Sequence, residues 1–184
     1  MRDLEQVAIA FDAACREAKV PYAFMGGVAV LAWGQPRTTM DVDALVKLNK
    51  TQAETLASAL RNHDLQASAA DFTDALRDRS HVTAFDSKSP IHVDIKIAAT
   101  PEELAEISGA RDIDFAPGRL RVVRPEDTIA FKLLFGSPQD LADARSILVR
   151  QKERLDLAAL RVLCKRLKVL AALEAEMKSV GTAP

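Results

Sequence analysis

The stretch that decides the fold is Met25-Gly26-Gly27, followed after thirteen residues by Asp41-Val42-Asp43-Ala44. The second segment alternates acidic and apolar side chains, as a β-strand with one buried face does. Asp41 and Asp43 therefore project from one face, and the apolar residues project from the other, toward a core. Two neighbouring carboxylates repel each other unless a cation lies between them. Oxygen ligands of this kind favour Mg²⁺ or Mn²⁺.

A third acid, Asp94, lies in a second apolar strand over residues 91–98. If this strand lies beside the first, Asp94 faces the same side as Asp41 and Asp43, because its apolar neighbours alternate away from it. Asp86 is an alternative third acid, but strand parity favours Asp94. Carboxylates clustered in this way can hold divalent ions for phosphoryl-type transfer.

The glycine pair Gly26-Gly27 follows a short apolar strand and precedes a helical segment. Glycine allows the backbone to approach phosphate oxygens closely, and the first amides of a helix carry a partial positive charge. A glycine pair can also be only a tight turn. Its position before the acids favours a phosphate-binding turn next to a metal site.

Apolar periodicity predicts alternating helices and strands. Strands are expected at 22–25, 41–46, 81–86, 91–98 and 120–123. Helices are expected at 2–19, 28–33, 51–62, from 100 onward and at 125–135, and the helix at 51–62 is expected to start with a capping box from Thr51 to Glu54. From residue 138 the chain is expected to be helical almost to its end, with a break near 153–156. Residues 66–79 are expected to form a loop or a short irregular helix. The fold class is therefore α/β (α+β), with a mixed β-sheet core flanked by helices over 1–123 and a helical region over 124–184 that packs on the core.

Composition is that of an ordinary soluble globular protein of 184 residues, with 48% hydrophobic and 28% charged residues. The net charge of -1 gives no global attraction to nucleic acid or to an acidic membrane. Cys15 and Cys164 are far apart in the sequence with no second thiol near either, so neither a disulfide framework nor a thiolate zinc site is indicated. With no apolar run long enough to span a membrane, a cytoplasmic protein is expected.

These residues resemble the nucleotidyltransferase superfamily with the polymerase-beta-like fold. Its signature is an apolar residue, Gly, then Gly or Ser, a gap, Asp-apolar-Asp/Glu-apolar, and a third acid on a later strand. The chain matches this signature over roughly residues 22 to 97, with His92-Val93-Asp94 as the last part. Gly27 stands where many members have serine, and the gap is at the long limit. Within the superfamily, the chain looks most like small bacterial proteins of the AbiEii toxin type.

The helical half adds a second likeness over about residues 124 to 150. In these proteins a phosphate-contacting lysine precedes a paired-aspartate motif, and here Lys132 precedes Asp140-Leu141-Ala142-Asp143. Lys132 is the only charge in an apolar run, so its ammonium must reach water or meet an anion. Asp140 also suits the first turn of a helix capped by Ser137, whereas Asp143 could orient Lys132 or the acceptor. Arg37 could contact a triphosphate or form a structural salt bridge.

The resemblance implies transfer of a nucleoside monophosphate from a nucleoside triphosphate such as ATP to an acceptor hydroxyl, with release of pyrophosphate. It assigns catalysis and metal binding, with Mg²⁺ or Mn²⁺ as the cofactor, to Asp41, Asp43 and Asp94. Nucleotide binding is assigned to Gly26, Gly27, Arg37, Lys132 and Asp143. His92 shares the Asp94 face and is expected to lie behind the metal ligands or in solvent.

The acceptor stays open among tRNA, a protein side chain and a small molecule such as an aminoglycoside. Residues 145–168 carry a net charge of +6, which suits an RNA acceptor or a solvated helix face. An antitoxin protein is a further possible partner. The alternative function is a non-catalytic nucleotide-binding or regulatory protein, such as an antitoxin, on the same fold.

Overall fold

The computed structural model describes residues 1–39, 41–115 and 118–181. Its strands are β1 (Tyr22–Phe24), β2 (Asp41–Val46), β3 (Leu65–Gln66), β4 (His81–Asp86), β5 (His92–Ile97), β6 (Arg111–Phe115) and β7 (Gly118–Val122). Its helices are α1 (Leu4–Ala18), α2 (Gly26–Trp33), α3 (Ala53–Asn62), α4 (Ala69–Asp78), α5 (Pro101–Gly109), α6 (Pro125–Phe135), α7 (Pro138–Arg150), α8 (Leu157–Arg166) and α9 (Leu170–Ser179). A single 3-10 turn, Lys50–Gln52, precedes α3.

The seven strands form one mixed sheet in the order β3-β4-β5-β2-β1-β7-β6. Strands β2 and β5 are parallel, as are β1 and β7, and the other neighbouring pairs are antiparallel. The predicted α/β (α+β) class with a mixed sheet and flanking helices is confirmed. The expected neighbouring position of the two acid-bearing strands is confirmed as well, since β2 pairs directly with β5.

The two faces of the β2–β5 pair differ in polarity because the side chains alternate. Val42, Ala44, Val93 and Ile95 are fully buried on one face. Helix α1 packs against both strands and against α3. The acids lie on the other face, where they are only half-buried. Burial of the apolar face thus fixes which way the acids point.

Two compact units make up the chain: residues 1–28 with 38–122, and residues 29–37 with 123–184. The first unit contains the entire sheet. The second is helical, and its core includes Val30, Ile129, Ile147, Leu148, Leu160, Leu173 and Met177. The domain boundary expected after residue 123 stays a prediction.

Three local expectations were wrong. The capping box before α3 starts at Asn49, whose side chain accepts from the amide of Gln52 while the Gln52 side chain bonds back to the Asn49 amide. Residues 69–78 form a regular helix, α4, which begins with a capping box at Ser68. The helix buries only Phe72 and Ala75, so its apolar pattern in the sequence is weak. A second helix break separates α8 from α9.

Strand β6 was missed because it is a charged edge strand with mostly exposed side chains, which weakens its apolar signal. Both cysteines are buried free thiols, and burial raises the pKa of Cys164 to about 11. None of the helices in the described ranges is long and apolar enough to cross a membrane.

Candidate active site

The acid-bearing face of β4, β5 and β2 is a small grid of side chains. Pairing between the strands aligns them in three rows: Phe85, His92 and Asp41; then Thr83, Asp94 and Asp43; then His81, Lys96 and Leu45. Neighbouring strands lie about 4.8 Å apart, and successive rows, which are two residues apart along each strand, lie about 6.6 Å apart. Four groups able to bind metal ions therefore occupy two adjacent rows.

Three of these groups form a tight cluster. One oxygen of Asp41, one oxygen of Asp94 and one ring nitrogen of His92 all lie within 4.8 Å of one another. His92 Nε2 is 3.6 Å from Oδ2 of Asp94. All three side chains are half-buried, so they remain accessible to an ion and to a substrate. The donors are two carboxylates and an imidazole, which suits a divalent cation.

Two threonines orient the carboxylates of this cluster. Thr39 Oγ1 donates to Oδ1 of Asp41 at 2.9 Å, and Thr83 Oγ1 donates to Oδ1 of Asp94 at 2.7 Å. Each carboxylate keeps its other oxygen for a ligand. Neither threonine was singled out from the sequence, because its role depends on the strand pairing or on the loop path before β2.

Asp43 lies next to the glycine pair. The amide of Gly27, in the first turn of α2, donates to Oδ2 of Asp43 at 3.4 Å. Gly26 has φ of +54°, and a Cβ at this position would overlap the Asp43 carboxylate. A Cβ on Gly27 would lie 2.6 Å from Oγ1 of Thr39. Both glycines are therefore required by the close approach of the acids and of the threonine that orients one of them.

A pocket lies on this face beside Asp43 and Asp94. Its other lining residues are Met25, Arg79, Ser80, His81 and Lys96. Arg79 ends α4 with φ of +54° and is exposed, and Lys96 pairs with Glu103 at 2.8 Å. Sequence reasoning missed Arg79, Ser80 and Lys96 and gave His81 no role, since only the fold brings the end of α4 and the β4–β5 hairpin beside the acids.

In the second unit, Lys132 meets two anions. Its Nζ lies 2.7 Å from Asp140 Oδ1 and 3.0 Å from Asp143 Oδ2. Asp140 also forms the expected capping box with Ser137. Arg37 binds Asp143 with two nitrogens, Nε at 3.0 Å and Nη2 at 3.1 Å. These contacts form a cluster of two cations and two anions, which we call the Lys132 cluster.

Burial by itself raises the pKa of Asp143, whose side chain is 3% exposed. Hydrogen bonds from Arg37, Gln139 and Lys132 outweigh this effect and bring the pKa below its ordinary value. The pKa of Asp140 is lowered in the same way, because bonds from Lys132 and Ser137 outweigh burial. Both carboxylates are thereby kept ionised.

The structure brings together Asp41, Asp43, Asp94, Gly26 and Gly27 in the first unit, and Arg37, Lys132 and Asp143 in the second. The alternative third acid, Asp86, has a fully buried side chain that pairs with Arg2 at 2.8 Å. Asp86 therefore has a structural role.

The basic helices are partly neutralised by acids beyond residue 168. Arg145 pairs with Glu176, and Arg161 pairs with Glu174 at 2.8 Å. The net charge of +6 counted over residues 145–168 therefore overstates the free positive charge of this surface.

Most of this chain matches one protein family. The model of the family described as "Nucleotidyl transferase AbiEii toxin, Type IV TA system" matches residues 9–167. No curated protein is similar enough in sequence to match.

Several solved structures share the fold. One is an antigenic nucleotidyltransferase-like protein from Paracoccidioides brasiliensis, with 15% identity, a TM-score of 0.58, and coverage of 95% of this chain and 92% of that one. Another is ANT(2")-Ia in complex with adenylyl-2"-tobramycin, with 14% identity, a TM-score of 0.59, and coverage of 89% and 96%. A third is JHP933 from Helicobacter pylori, with 16% identity, a TM-score of 0.50, and coverage of 96% and 78%.

Proposed function

The chain belongs to the AbiEii nucleotidyltransferase toxin family, and on that premise we propose that it catalyses metal-dependent transfer of a nucleoside monophosphate from a nucleoside triphosphate to an acceptor hydroxyl. The observation that supports this most is the placement of Asp41, Asp43 and Asp94 on adjacent parallel strands beside Gly26-Gly27. A surface that concentrates three carboxylates is stable and useful when it binds cations.

Asp41 and Asp94 fit a divalent ion, because these half-buried residues each offer an oxygen within 4.8 Å of the other and of a His92 ring nitrogen. Asp41, Asp43 and Asp94 would hold Mg²⁺ or Mn²⁺, which when bound neutralises phosphate charge and lowers the pKa of an attacking hydroxyl. The chemical step forms a bond from the acceptor oxygen to the α-phosphorus. The bond from that phosphorus to the oxygen bridging to the β-phosphate breaks, and pyrophosphate leaves with the electron pair.

Asp94 is proposed to accept the proton of the acceptor hydroxyl. Thr83 donates to its Oδ1, and this bond holds the carboxylate in one orientation for the proton transfer. Asp94 also lines the pocket in which an acceptor can lie. The carboxylate is thus held at a fixed angle beside the place where the hydroxyl would approach.

Phosphate binding in the first unit is assigned to the amides of Gly26 and Gly27, at the start of α2, where the Gly27 amide would exchange its long bond to Asp43 for a phosphate oxygen. In the second unit, Arg37, Lys132 and Asp143 keep their proposed role in nucleotide binding. Asp143 contacts both cations, so it is proposed to orient them. Arginine and lysine are the side chains that bind phosphate oxygens in many proteins.

The pocket beside Asp94 favours an anionic acceptor. Its lining carries the cations Arg79 and Lys96 beside the acids Asp43 and Asp94, and once those acids hold a divalent ion the remaining charge attracts phosphate and repels a polycation. An RNA such as tRNA therefore suits this pocket better than an aminoglycoside, although ANT(2")-Ia is described with adenylyl-2"-tobramycin. Lys165 on α8, and Arg154 and Lys168 in the turns before and after that helix, are proposed as further RNA contacts. An antitoxin is the expected protein partner of a toxin.

The test is transfer of label from each α-³²P nucleoside triphosphate, with Mg²⁺ or Mn²⁺, to total RNA, to lysate protein and to tobramycin. We expect label in RNA with the wild-type protein and none with Asp43→Ala. Asp114→Ala, on the exposed edge strand β6, is the matched control and should behave as wild type. Circular dichroism checks that each variant is folded.

Equal labelling by wild type and a folded Asp43→Ala variant would refute the proposed mechanism. Nucleotide binding without transfer to any acceptor would favour the regulatory alternative. Label in tobramycin but not in RNA would overturn the assignment of an anionic acceptor.

A further inference from the structure

His92 belongs to the same cluster as Asp41 and Asp94, although it was expected to lie behind the metal ligands or in solvent. We propose that His92 is a direct ligand of the divalent ion and makes this site bind Mn²⁺ in preference to Mg²⁺. The proposal rests on the proposed function for its biological meaning, since it refines which metal serves that site.

Strand register places the imidazole between the two carboxylates. His92 lies directly opposite Asp41 on β2 and two residues before Asp94 on β5, on the same face. Ligand atoms that share one ion about 2.1 Å away are separated by at most ~4.2 Å. The three groups, all within 4.8 Å of one another, need only small side-chain rotations to reach that arrangement.

A structural ion pair is the competing role for His92. Its Nε2 is 3.6 Å from Oδ2 of Asp94, which is longer than a hydrogen bond. Thr83 holds the same carboxylate by Oδ1 at 2.7 Å. Asp94 is therefore positioned by Thr83, and the gap between Asp94 and His92 leaves room for a shared ligand.

Phe85 restricts the imidazole from the next strand. The two rings are 6.1 Å apart between centroids, and Phe85 lies opposite His92 in the β4–β5 pair. The imidazole thus has an aromatic neighbour on the β4 side and the acids on the β2 side. His63, by contrast, lies 3.0 Å from Glu17, and His81 is two rows away on the grid.

The ligand types predict the choice of metal. Mg²⁺ strongly prefers oxygen ligands and keeps much of its water, whereas divalent transition-metal ions accept imidazole nitrogen readily. Two carboxylates and one imidazole therefore favour Mn²⁺, and also Zn²⁺, over Mg²⁺. Loss of the imidazole should weaken binding of the transition metal and leave Mg²⁺ binding nearly unchanged.

The experiment measures free Mn²⁺ by electron paramagnetic resonance during titration of the full chain without nucleotide, and measures Mg²⁺ by competition. We expect His92→Ala to weaken Mn²⁺ binding about 10-fold or more, as loss of a ligand does, and Mg²⁺ binding by less than about 3-fold. His63→Ala is the matched control, since this imidazole pairs with Glu17 and not with the acids of the site, and it should change neither affinity. Asp41→Asn should weaken the binding of both Mn²⁺ and Mg²⁺.

His92→Gln keeps the bulk of the side chain and guards against a folding defect in His92→Ala. Unchanged Mn²⁺ affinity in both folded variants would overturn the proposal, and so would an equal loss for Mn²⁺ and Mg²⁺. The two proposals fail separately. Mn²⁺ binding through His92 without nucleotidyl transfer would refute the proposed function alone, and transfer with His92-independent Mn²⁺ binding would refute only the role of His92.

Discussion

Thr83 Oγ1 donates a hydrogen bond of 2.7 Å to Oδ1 of Asp94 from the neighbouring antiparallel strand. This contact fixes the angle of the carboxylate that is proposed to take the acceptor proton. A hydroxyl that positions a reacting group typically contributes 10-fold to 100-fold to activity or to metal affinity. Thr83 is therefore a positioning residue whose loss should affect the chemical step.

Thr83→Val should lower kcat for labelled-nucleotide transfer about 10-fold, because valine fills the same space without the hydrogen bond. The KM for the nucleoside triphosphate should change little. Thr83→Ser restores the hydroxyl and should recover most of the rate. Thr73→Val, on an exposed part of α4, serves as the control. A loss that Thr83→Ser does not recover would show that packing, rather than the hydrogen bond, is responsible.

Gly26→Ala should lower the free energy of unfolding by ~1–3 kcal/mol, because the positive φ of Gly26 and overlap with Asp43 both oppose a side chain there. It should also displace the Asp43 carboxylate and remove transfer activity. Gly118→Ala is the matched control, since a Cβ there would meet no atom closer than 3.9 Å. Urea unfolding and the transfer assay measure both effects, and equal stability of the two variants would contradict this account.

Lys132→Met should reduce the free energy of unfolding by ~1–3 kcal/mol, because it removes one cation from the buried Asp143 and the main cation from Asp140. The loss is limited because Arg37 still binds Asp143. Lys165→Met, at an exposed site on α8, should change stability by less than ~0.5 kcal/mol. If Lys132→Met and Lys165→Met lower the free energy of unfolding equally in chemical denaturation, the Lys132 cluster adds no stability.

The same cluster predicts how stability depends on pH. Asp140 and Asp143 have a lower pKa in the folded state than their ordinary value of 3.8. The unfolded chain therefore binds protons at higher pH than the folded one. The contribution of these two carboxylates to the free energy of unfolding is complete above about pH 5, and it is lost as the pH falls through 3.8 toward the folded pKa.

Unfolding free energies measured from pH 7 to pH 3 should thus fall at the acidic end. In Asp143→Asn the fall should be shallower, because one of the two groups no longer titrates. An identical acid slope in wild type and Asp143→Asn would disprove the contribution of this group.

The acids of the site could be predicted from the sequence because the signal is local. Alternation in the segment from Asp41 to Ala44 fixes their face, and the same parity selects Asp94 over Asp86. The apolar run around Lys132 likewise indicated that the ammonium must meet an anion or reach water, and Asp140 and Asp143 are anions that it meets.

The rest of the site depends on pairing between distant segments, which a single sequence does not encode locally. His92 approaches Asp41 only because β2 and β5 pair in one particular register. Arg79 reaches the pocket because α4 is a regular helix that ends in a left-handed turn, where a loop or irregular helix was expected. Asp143 meets Arg37 across a separation of 106 residues.

The β2–β5 register has a consequence for how this protein is made. A slip of one residue in β2 would turn Val42 and Ala44 toward solvent and drive Asp41 and Asp43 into the apolar interior. A misassembled sheet is therefore both inert and prone to unfold or aggregate. Stable folding and correct placement of the acids therefore depend on the same strand register, so a stably folded copy of this chain carries its acids on the outward face.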